Sequence, residues 1–322
     1  MKSNNYVVIV IVFLMISFFI FNSFQLINRD YNNYEKDYSK SYILIKSESN
    51  NYLWNNIEKG IVDNCETNNI AIQILNSDNT GLLSQKELFE MAVAGNSNGI
   101  ILSGYNSNEM EELLKKAEDK KIPIVFINED GASRLRDTYV GPNNYQKGQK
   151  SIQEISKKSN EVLNILVIDE YNSENRNLLI DGMISEINNE ENINLTEIVS
   201  INTRFNFENN LRKELDLHPE INVIIGTGIY DGLNIAKAIV SMNKVGEVYI
   251  IAYDNSEMTI EYIQKGIITA TLFTDGYLVG EEAVNTLNSI NEDNISLDVF
   301  YVPTTILNKY NLKTYLDGES NE

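Results

Sequence analysis

The sequence is poor in the residues that build disulfides, most metal sites and hydrolytic triads. It contains one cysteine, Cys65, and one histidine, His218, in 322 residues. A single cysteine excludes an intrachain disulfide, and we expect Cys65 to behave as a small buried hydrophobe of the first helix. His218 has no cysteine or acid at ligand spacing, so a helix-end histidine is favoured over a metal site. With one histidine and no nucleophile elbow, the sequence indicates neither an enzyme nor a cofactor.

Basic residues are also scarce. Lys and Arg total 26 against 46 Asp and Glu, which gives a formal net charge of -20. Nucleic-acid binding requires clustered Lys and Arg to meet the phosphates, so this balance argues against a nucleic-acid partner. It argues equally against binding to an anionic membrane surface.

One long apolar run stands near the N-terminus. Residues 6–21 carry no charge and follow Lys2. Neither a small-x-small cleavage site nor a lipid-accepting cysteine follows the run, which favours a retained signal-anchor over the alternative of a cleaved signal peptide. We therefore predict a transmembrane signal-anchor over residues 1–28, a polar stalk over 29–41, and a body outside the cytoplasm, held at the cell membrane by a single pass.

From residue 42 onward, short apolar runs alternate with helical segments. The strand-like runs include "YILIKS", "IAIQILNS", "GIILSG", "IPIVFIN", "LNILVIDE", "LTEIVSIN", "INVIIGTG", "VYIIAYD" and "ITATLFT", and "DVFYVPTTIL" is read as one further strand. Such alternation predicts βαβ units and parallel sheets. Only four prolines and no Gly/Ser-rich linker interrupt it. We therefore expect two similar α/β lobes joined by short crossings, with a ligand-binding cleft between them.

Seven segments, taken in order, match one family pattern. They are "SNNYLWNNIEKGI", "NSNGIILSG", "KKIPIVFIN", "YVGPNNYQKGQ", "HPEINVIIGTG", "VYIIAYDNSE" and "IQKGIITATLFTDGYLVGEEAV". Together they resemble the type I periplasmic sugar-binding proteins, the group of ribose- and xylose-binding proteins, over residues 42–307. The resemblance implies two Rossmann-like lobes with parallel sheets and a hinge of three crossings. These crossings are expected near Gly141–Asn143, Thr274–Asp275 and Tyr301–Pro303.

The same resemblance implies the bounds of the domains. Lobe 1 is expected over residues 42–142 plus 275–301, and lobe 2 over 143–274 plus 302–316. Residues 317–322 form a tail.

The resemblance also implies a sugar site at the strand ends. An aromatic after the first strand stacks on the sugar in ribose-binding relatives, and Trp54 matches it, with Asn51 as a polar contact of the same loop. The alternative for Trp54 is a first-turn residue that packs on the sheet. Asp254 matches an aspartate that accepts hydrogen bonds from sugar hydroxyls, and its alternative role is to cap the next helix.

The chain departs from the family at several contact positions. Asn128-Glu129 stands where relatives have Asp-Arg, and Leu179 replaces an expected arginine. Arg176 lies one turn earlier and could reach the cleft instead. The predicted ligand-binding residues are Asn51, Trp54, Ser103, Asn128, Glu129, Arg176, Asp231, Asp254 and Thr274. Three arginines, Arg134, Arg136 and Arg204, are expected to be charges at the rim of the site.

Two extracytoplasmic roles fit these observations. The first is a membrane-tethered receptor for a monosaccharide, with a pentose as first candidate, that passes lobe closure to a membrane sensor histidine kinase. An uncleaved helix without a lipid-accepting cysteine favours this role, which some Gram-positive members of the family have. The second is the substrate-binding component of an ABC sugar importer, with a permease as partner. A cytoplasmic repressor domain is disfavoured because no helix-turn-helix precedes the body.

Overall fold

The computed structural model describes most of the chain from Tyr38 onward. The described residues are 38–46, 51–76, 83–105, 107–131, 135–157, 161–169, 174–201, 206–293, 295 and 297–319. Residues 40–322 form one compact unit, which contains all the elements below. The signal-anchor predicted over residues 1–28 lies outside the described residues. Within the described ranges, no helix has both the length and the apolarity needed to cross a membrane.

Strands and helices alternate along the described body. In chain order they are β1 (Lys40–Lys46), α1 (Tyr52–Thr67), β2 (Ile70–Asn76), α2 (Gln85–Ala94), β3 (Gly99–Leu102), α3 (Asn108–Asp119), β4 (Ile124–Ile127), β5 (Thr138–Pro142), α4 (Asn144–Ser156), β6 (Leu163–Ile168), α5 (Glu174–Ile187), β7 (Ile193–Val199), α6 (Phe207–Leu217), β8 (Val223–Gly226), α7 (Asp231–Ser241), β9 (Tyr249–Ala252), α8 (Glu257–Gln264), β10 (Ala270–Thr274), α9 (Gly276–Asp293), β11 (Val299–Val302), β12 (Thr304–Asn308) and α10 (Leu312–Glu319).

The strands form two six-stranded sheets, one in each lobe. The first has the order β11-β5-β4-β3-β1-β2 and the second β12-β10-β9-β8-β6-β7. All neighbouring strands run parallel except β12, which is antiparallel to β10. The central strands β3, β4 and β8 are buried along their whole length because helices cover both faces of each sheet. The expectation of two α/β lobes with predominantly parallel sheets is confirmed.

The segment "DVFYVPTTIL" is not the single strand that its apolar pattern predicts. β11 joins the first sheet beside β5, and β12 joins the second sheet beside β10. Only Pro303 separates them. Proline has no N–H to donate to a strand ladder, so it stands where the chain leaves one sheet and enters the other. The segment "TYVGP", which forms β5, is a strand that the apolar pattern did not predict.

The chain passes between the two sheets three times. In each passage one residue stands between consecutive elements: Asn143 between β5 and α4, Asp275 between β10 and α9, and Pro303 between β11 and β12. The Asn143 side chain accepts a hydrogen bond from the Gln146 N–H at 3.0 Å, and Asp275 accepts one from the Tyr277 N–H at 2.9 Å. Each of these two crossings therefore also caps the helix that follows.

Glycine pairs bring two helices into close contact in each lobe. A Cβ at Gly60 would lie 2.1 Å from the Tyr277 carbonyl oxygen, which joins α1 to α9 in the first lobe. A Cβ at Gly148 would lie 2.0 Å from the Leu179 carbonyl oxygen, which joins α4 to α5 in the second. No larger residue fits at such a crossing without a shift of backbone. These contacts fix the position of α1 against α9 and of α4 against α5, and α1 and α4 both start beside the cleft.

The structure bears on three other sequence expectations, those for Cys65, His218 and Arg136. Cys65 is fully buried in α1, as expected, and burial raises the pKa of its thiol to about 12. His218 is the C-cap residue of α6, as expected, but the expectation that no acid lies near it is wrong, because its imidazole is 3.1 Å from Glu197 and 3.4 Å from Glu220. Arg136 is not a rim charge.

The guanidinium of Arg136 is buried in an ion-pair cluster. Its Nε and Nη2 donate to the two carboxylate oxygens of Asp130 at 2.6 and 2.7 Å. Nη1 donates to Asp298 at 2.8 Å. Asp298 lies just before β11, so Arg136 joins the loop after β4 to the start of a strand that is distant in sequence. Arg134 and Arg204 lie outside the described residues.

Candidate functional site

Residues of both lobes line a cavity of about 370 Å³, a volume in the range of small-molecule sites. Most of its walls come from loops and helix starts that follow the carboxyl ends of strands. The lining residues are Tyr52, Leu53, Asn128, Pro142, Lys147, Ile229, Tyr230, Leu233, Tyr253, Asp254, Asn255, Ser256, Glu257, Met258, Phe273 and Thr274. Four of them are aromatic, and the carboxylates, hydroxyls, amides and one ammonium are interspersed among apolar side chains. Such walls suit a ligand with both apolar faces and hydroxyl groups.

Asp254 follows β9 and uses its two carboxylate oxygens differently. Oδ1 accepts hydrogen bonds from the Ser256 N–H at 2.9 Å, the Ser256 hydroxyl at 2.6 Å and the Thr259 hydroxyl at 2.7 Å. Oδ2 is buried and has no hydrogen-bond partner within the described part of the chain. The two roles considered for Asp254 are thus compatible, because Oδ1 stabilises the start of α8 while Oδ2 is left for another donor.

Thr274 provides a second buried polar atom of this kind. It ends β10 and precedes the crossing residue Asp275. Its hydroxyl oxygen is buried and, among the described residues, makes no hydrogen bond. Leaving a buried polar group unsatisfied costs about 1–3 kcal/mol, and two of the lining residues, Asp254 and Thr274, carry such an atom.

Asn128 and Glu129 lie on the lobe 1 side, after β4. Asn128 adopts a left-handed backbone with φ of 61°, a conformation that asparagine tolerates better than most residues. The Asn128 carbonyl accepts a hydrogen bond from the Tyr139 hydroxyl at 3.0 Å, and Asn128 lines the cavity. Glu129 is not a lining residue, but its carboxylate acts electrostatically on Lys147 across the cleft.

Lys147 is a lining residue that the sequence analysis missed. It lies in the first turn of α4, with its ammonium 4.6 Å from the centre of the Tyr253 ring. Desolvation lowers the pKa of Lys147 to about 8, although the carboxylates of Glu129 and Asp254 act in the opposite direction. The available signal was its position four residues after Asn143, in the segment "YVGPNNYQKGQ" that carries the family resemblance.

Trp54 does not line the cavity, which corrects the stacking role expected for it. It is 3% exposed and packs in the core with Ile57, Ile61 and Val140. Its neighbours Tyr52 and Leu53 line the cavity instead. Successive residues of a helix are rotated by about 100°, so a shift of two positions turns a side chain from the cleft to the sheet. The structure thus places Trp54 as the alternative described, a first-turn residue packed on the sheet.

Four further predicted site residues have structural contacts outside the cavity lining. Asn51 caps α1 by accepting from the Trp54 N–H at 2.8 Å, and the Ser103 carbonyl accepts from Gln85 at 3.0 Å. The Asp231 carboxylate accepts from the Gly228 N–H at 2.7 Å, which closes the turn before α7.

Arg176 is the fourth of these residues. It forms an ion pair with Asp169, whose other oxygen accepts from the Thr227 hydroxyl at 2.7 Å. This pair joins the first turn of α5 to the ends of β6 and β8. Asp169 neutralises the charge of Arg176, which does not line the cavity.

Comparisons with known proteins agree with this architecture. The ABC transporter periplasmic-binding protein YphF of Escherichia coli K12 is 21% identical over 289 residues, which cover 81% of this chain and 85% of YphF. GanP, a glucose-galactose binding protein from Geobacillus stearothermophilus, is 24% identical with a TM-score of 0.75, covering 85% of this chain and 98% of GanP. A chain of the XylFII-LytSN complex is 24% identical with a TM-score of 0.73, covering 84% of this chain and 98% of that chain.

The family assignment follows from the extent of the match. The family model of the periplasmic binding protein domain matches residues 42–293, which contain both sheets apart from β11, β12 and the first two residues of β1. The chain therefore belongs to the periplasmic binding protein domain family and is a binding protein, not an enzyme.

Proposed function

We propose that the protein is an extracytoplasmic receptor for a neutral monosaccharide, with a pentose as first candidate. The observation that carries the proposal is a pair of buried polar atoms on lining residues, Asp254 Oδ2 and the Thr274 hydroxyl, which have no hydrogen-bond partner among the described residues. A carboxylate oxygen accepts from a sugar hydroxyl, and a threonine hydroxyl either donates or accepts. The description of GanP as a glucose-galactose binding protein supports the same ligand class.

The aromatic lining supports a sugar over a more polar solute. A sugar ring presents a patch of C–H bonds that packs on an aromatic face. Tyr52 comes from the first lobe, whereas Tyr230, Tyr253 and Phe273 come from the second. A ring held between these faces would contact both lobes at once. Binding would then favour the closed arrangement by the difference in affinity between the open and closed states.

A thermal-shift panel on the full chain in mild detergent tests the proposal. The panel contains D-xylose, D-ribose, L-arabinose, D-glucose and D-galactose, with glycine and L-leucine as controls. A sugar at 100 times its dissociation constant stabilises the folded state by about 2.7 kcal/mol and raises the melting temperature. A response to an amino acid, with no response to any of the five sugars, would contradict the proposed ligand class.

The proposed partner is a membrane sensor histidine kinase. Support comes from the likeness to a chain of the XylFII-LytSN complex, together with the apolar N-terminal run. The alternative, a permease of an ABC importer, is favoured by the description of YphF. Adjacent genes distinguish the two, because a kinase with a response regulator indicates the first and a permease with an ATPase indicates the second.

The N-terminal run is proposed to stay on the mature protein as the membrane anchor. A tethered receptor meets a membrane partner at raised effective concentration, so a weak interface with the closed lobes suffices. Mass analysis of the N-terminus should find residues 6–24 on protein extracted from membranes. A mature chain that begins after residue 24 and is released into the medium would refute the tether and favour a mobile carrier.

A further inference from the structure

We propose that Lys147 is a specificity-determining residue of the ligand site. Its ammonium donates a hydrogen bond to a hydroxyl oxygen of a neutral aldose. Asp254 Oδ2 accepts a hydrogen bond from another hydroxyl of the same molecule. This assignment rests on the proposed function and deepens it. It gives the cavity a cationic donor in addition to the acceptor already described.

The position of Lys147 is fixed by packing on both sides of it. Gly148, the next residue, lies so close to the Leu179 carbonyl that the start of α4 has little freedom relative to α5. The ammonium lies 4.6 Å from the centre of the Tyr253 ring, within the range of a cation–π contact. The Tyr253 hydroxyl is itself bonded to the Ser151 hydroxyl at 2.6 Å. A side chain held in this way is oriented before any ligand arrives.

The Lys147 ammonium has N–H donors that can bond to a ligand. It carries three N–H groups, and none of them forms a hydrogen bond or ion pair within the described part of the chain. Glu129 and Asp254 influence it only through electrostatic attraction. Desolvation lowers the pKa of Lys147 to about 8, because burial disfavours the charged form of the ammonium. An oxygen of a bound sugar would provide the missing partner.

Lys147 also compensates for cations that are absent from the cavity. The arginine that the family resemblance implies is Leu179, which is buried in the core of the second lobe. Arg176 is paired with Asp169. Lys147 is thus the one basic residue among the lining residues described. An ammonium is a compact point charge and lacks the planar fork of a guanidinium, so it does not impose bidentate recognition of an adjacent pair of oxygens.

The carboxylates around Lys147 favour a neutral ligand over a sugar acid. A ligand carboxylate at the ammonium would share the cavity with Asp254 and Glu257 and would also be repelled by Glu129, which acts electrostatically on Lys147. These like charges oppose an anion, whereas they accept hydrogen bonds from hydroxyl groups. The site therefore suits a molecule that supplies both donors and acceptors and carries no charge.

Calorimetric titration of the full chain in mild detergent tests this assignment. The probes are the same five sugars, D-glucuronate, and the monodeoxy analogues of whichever sugar binds best. Lys147→Met keeps the stem over Tyr253 and removes the ammonium, and Lys147→Gln serves as a second variant if the first folds poorly. Lys150→Met, on the same helix but away from the cavity lining, is the matched control.

We expect Lys147→Met to weaken binding of the best sugar about 10- to 100-fold, as for loss of a charge-assisted hydrogen bond, and Lys150→Met to bind like the wild type. One monodeoxy analogue should bind the wild type weakly but should bind Lys147→Met as well as the parent sugar does, because hydroxyl and ammonium interact with each other. If wild type and both Lys147 variants bind the sugars equally, the assignment fails while the proposed function stands. Tighter binding of D-glucuronate than of the neutral sugars, lost in Lys147→Met, overturns the neutral ligand. If no sugar binds the wild type, the proposed function and this assignment fail together.

Discussion

Replacing Trp54 by alanine should lower the free energy of unfolding by about 3–5 kcal/mol, the range for truncating a buried aromatic side chain. Trp54 is 3% exposed and belongs to a core cluster with side chains of α1, β5 and β11, so its removal leaves a cavity in the core of the first lobe. Urea unfolding followed by circular dichroism measures this loss without relying on the fluorescence of the residue removed. The native fraction of the variant should retain sugar affinity close to that of the wild type.

Tyr52→Ala is the matched variant for this prediction. Tyr52 is 46% exposed, stands two residues earlier on the same helix and lines the cavity. Its truncation should change stability little but weaken sugar binding by about 1–3 kcal/mol, as for other aromatic platforms. If Trp54→Ala instead kept wild-type stability and lost sugar binding, the stacking role inferred from the family would be restored and the core role refuted.

Asp254→Asn should weaken sugar binding about 10- to 100-fold with little change in the stability of the unliganded protein. Asparagine keeps a carbonyl oxygen that can replace Oδ1, which accepts three hydrogen bonds from Ser256 and Thr259. It replaces Oδ2 by an NH2 group that donates where the carboxylate accepts. Titration calorimetry with the sugar identified by thermal shift gives the affinity, and urea unfolding gives the stability.

Thr259→Val provides the control for Asp254. It removes one donor to Oδ1 from a fully buried position and leaves Oδ2 untouched. The expected result is lower stability with unchanged affinity, the reverse of the result for Asp254→Asn. Wild-type affinity in Asp254→Asn would show that Asp254 serves only to cap α8.

Much of the architecture is readable from local pattern. Fully buried strands such as "GIIL" and "IVFI" are continuous apolar runs, and "GIIL" is followed by a helix, α3, with its own N-cap, Ser107. Strands and helices that alternate along the chain pack as a parallel sheet with helices on its faces. Because ligands dock at the carboxyl ends of parallel strands, the same reasoning selected Asn128, Asp254 and Thr274, which all line the cavity.

Pattern alone could not decide which neighbour of a given residue faces the cleft. Trp54 and Tyr52 occupy the same helical turn, and the packing of α1 against α9 through Gly60 determines which of them is buried. In the same way, Arg136 forms an ion pair with Asp130, and Arg176 forms one with Asp169. These partners are close only because loops and strand ends come together in the folded protein.

The sequence by itself determined the alternation of strand and helix, the division into two lobes, and the set of strand ends at which a ligand could bind. The reason is that a strand buried on both faces requires a continuous apolar run, whichever elements pack against it. Only the tertiary structure decided that "DVFYVPTTIL" is divided between two sheets, that Trp54 belongs to the core, and that Lys147 lines the cavity. The physical reason is that these outcomes depend on contacts between segments distant in the chain, such as that of Gly148 with Leu179, which no local pattern encodes.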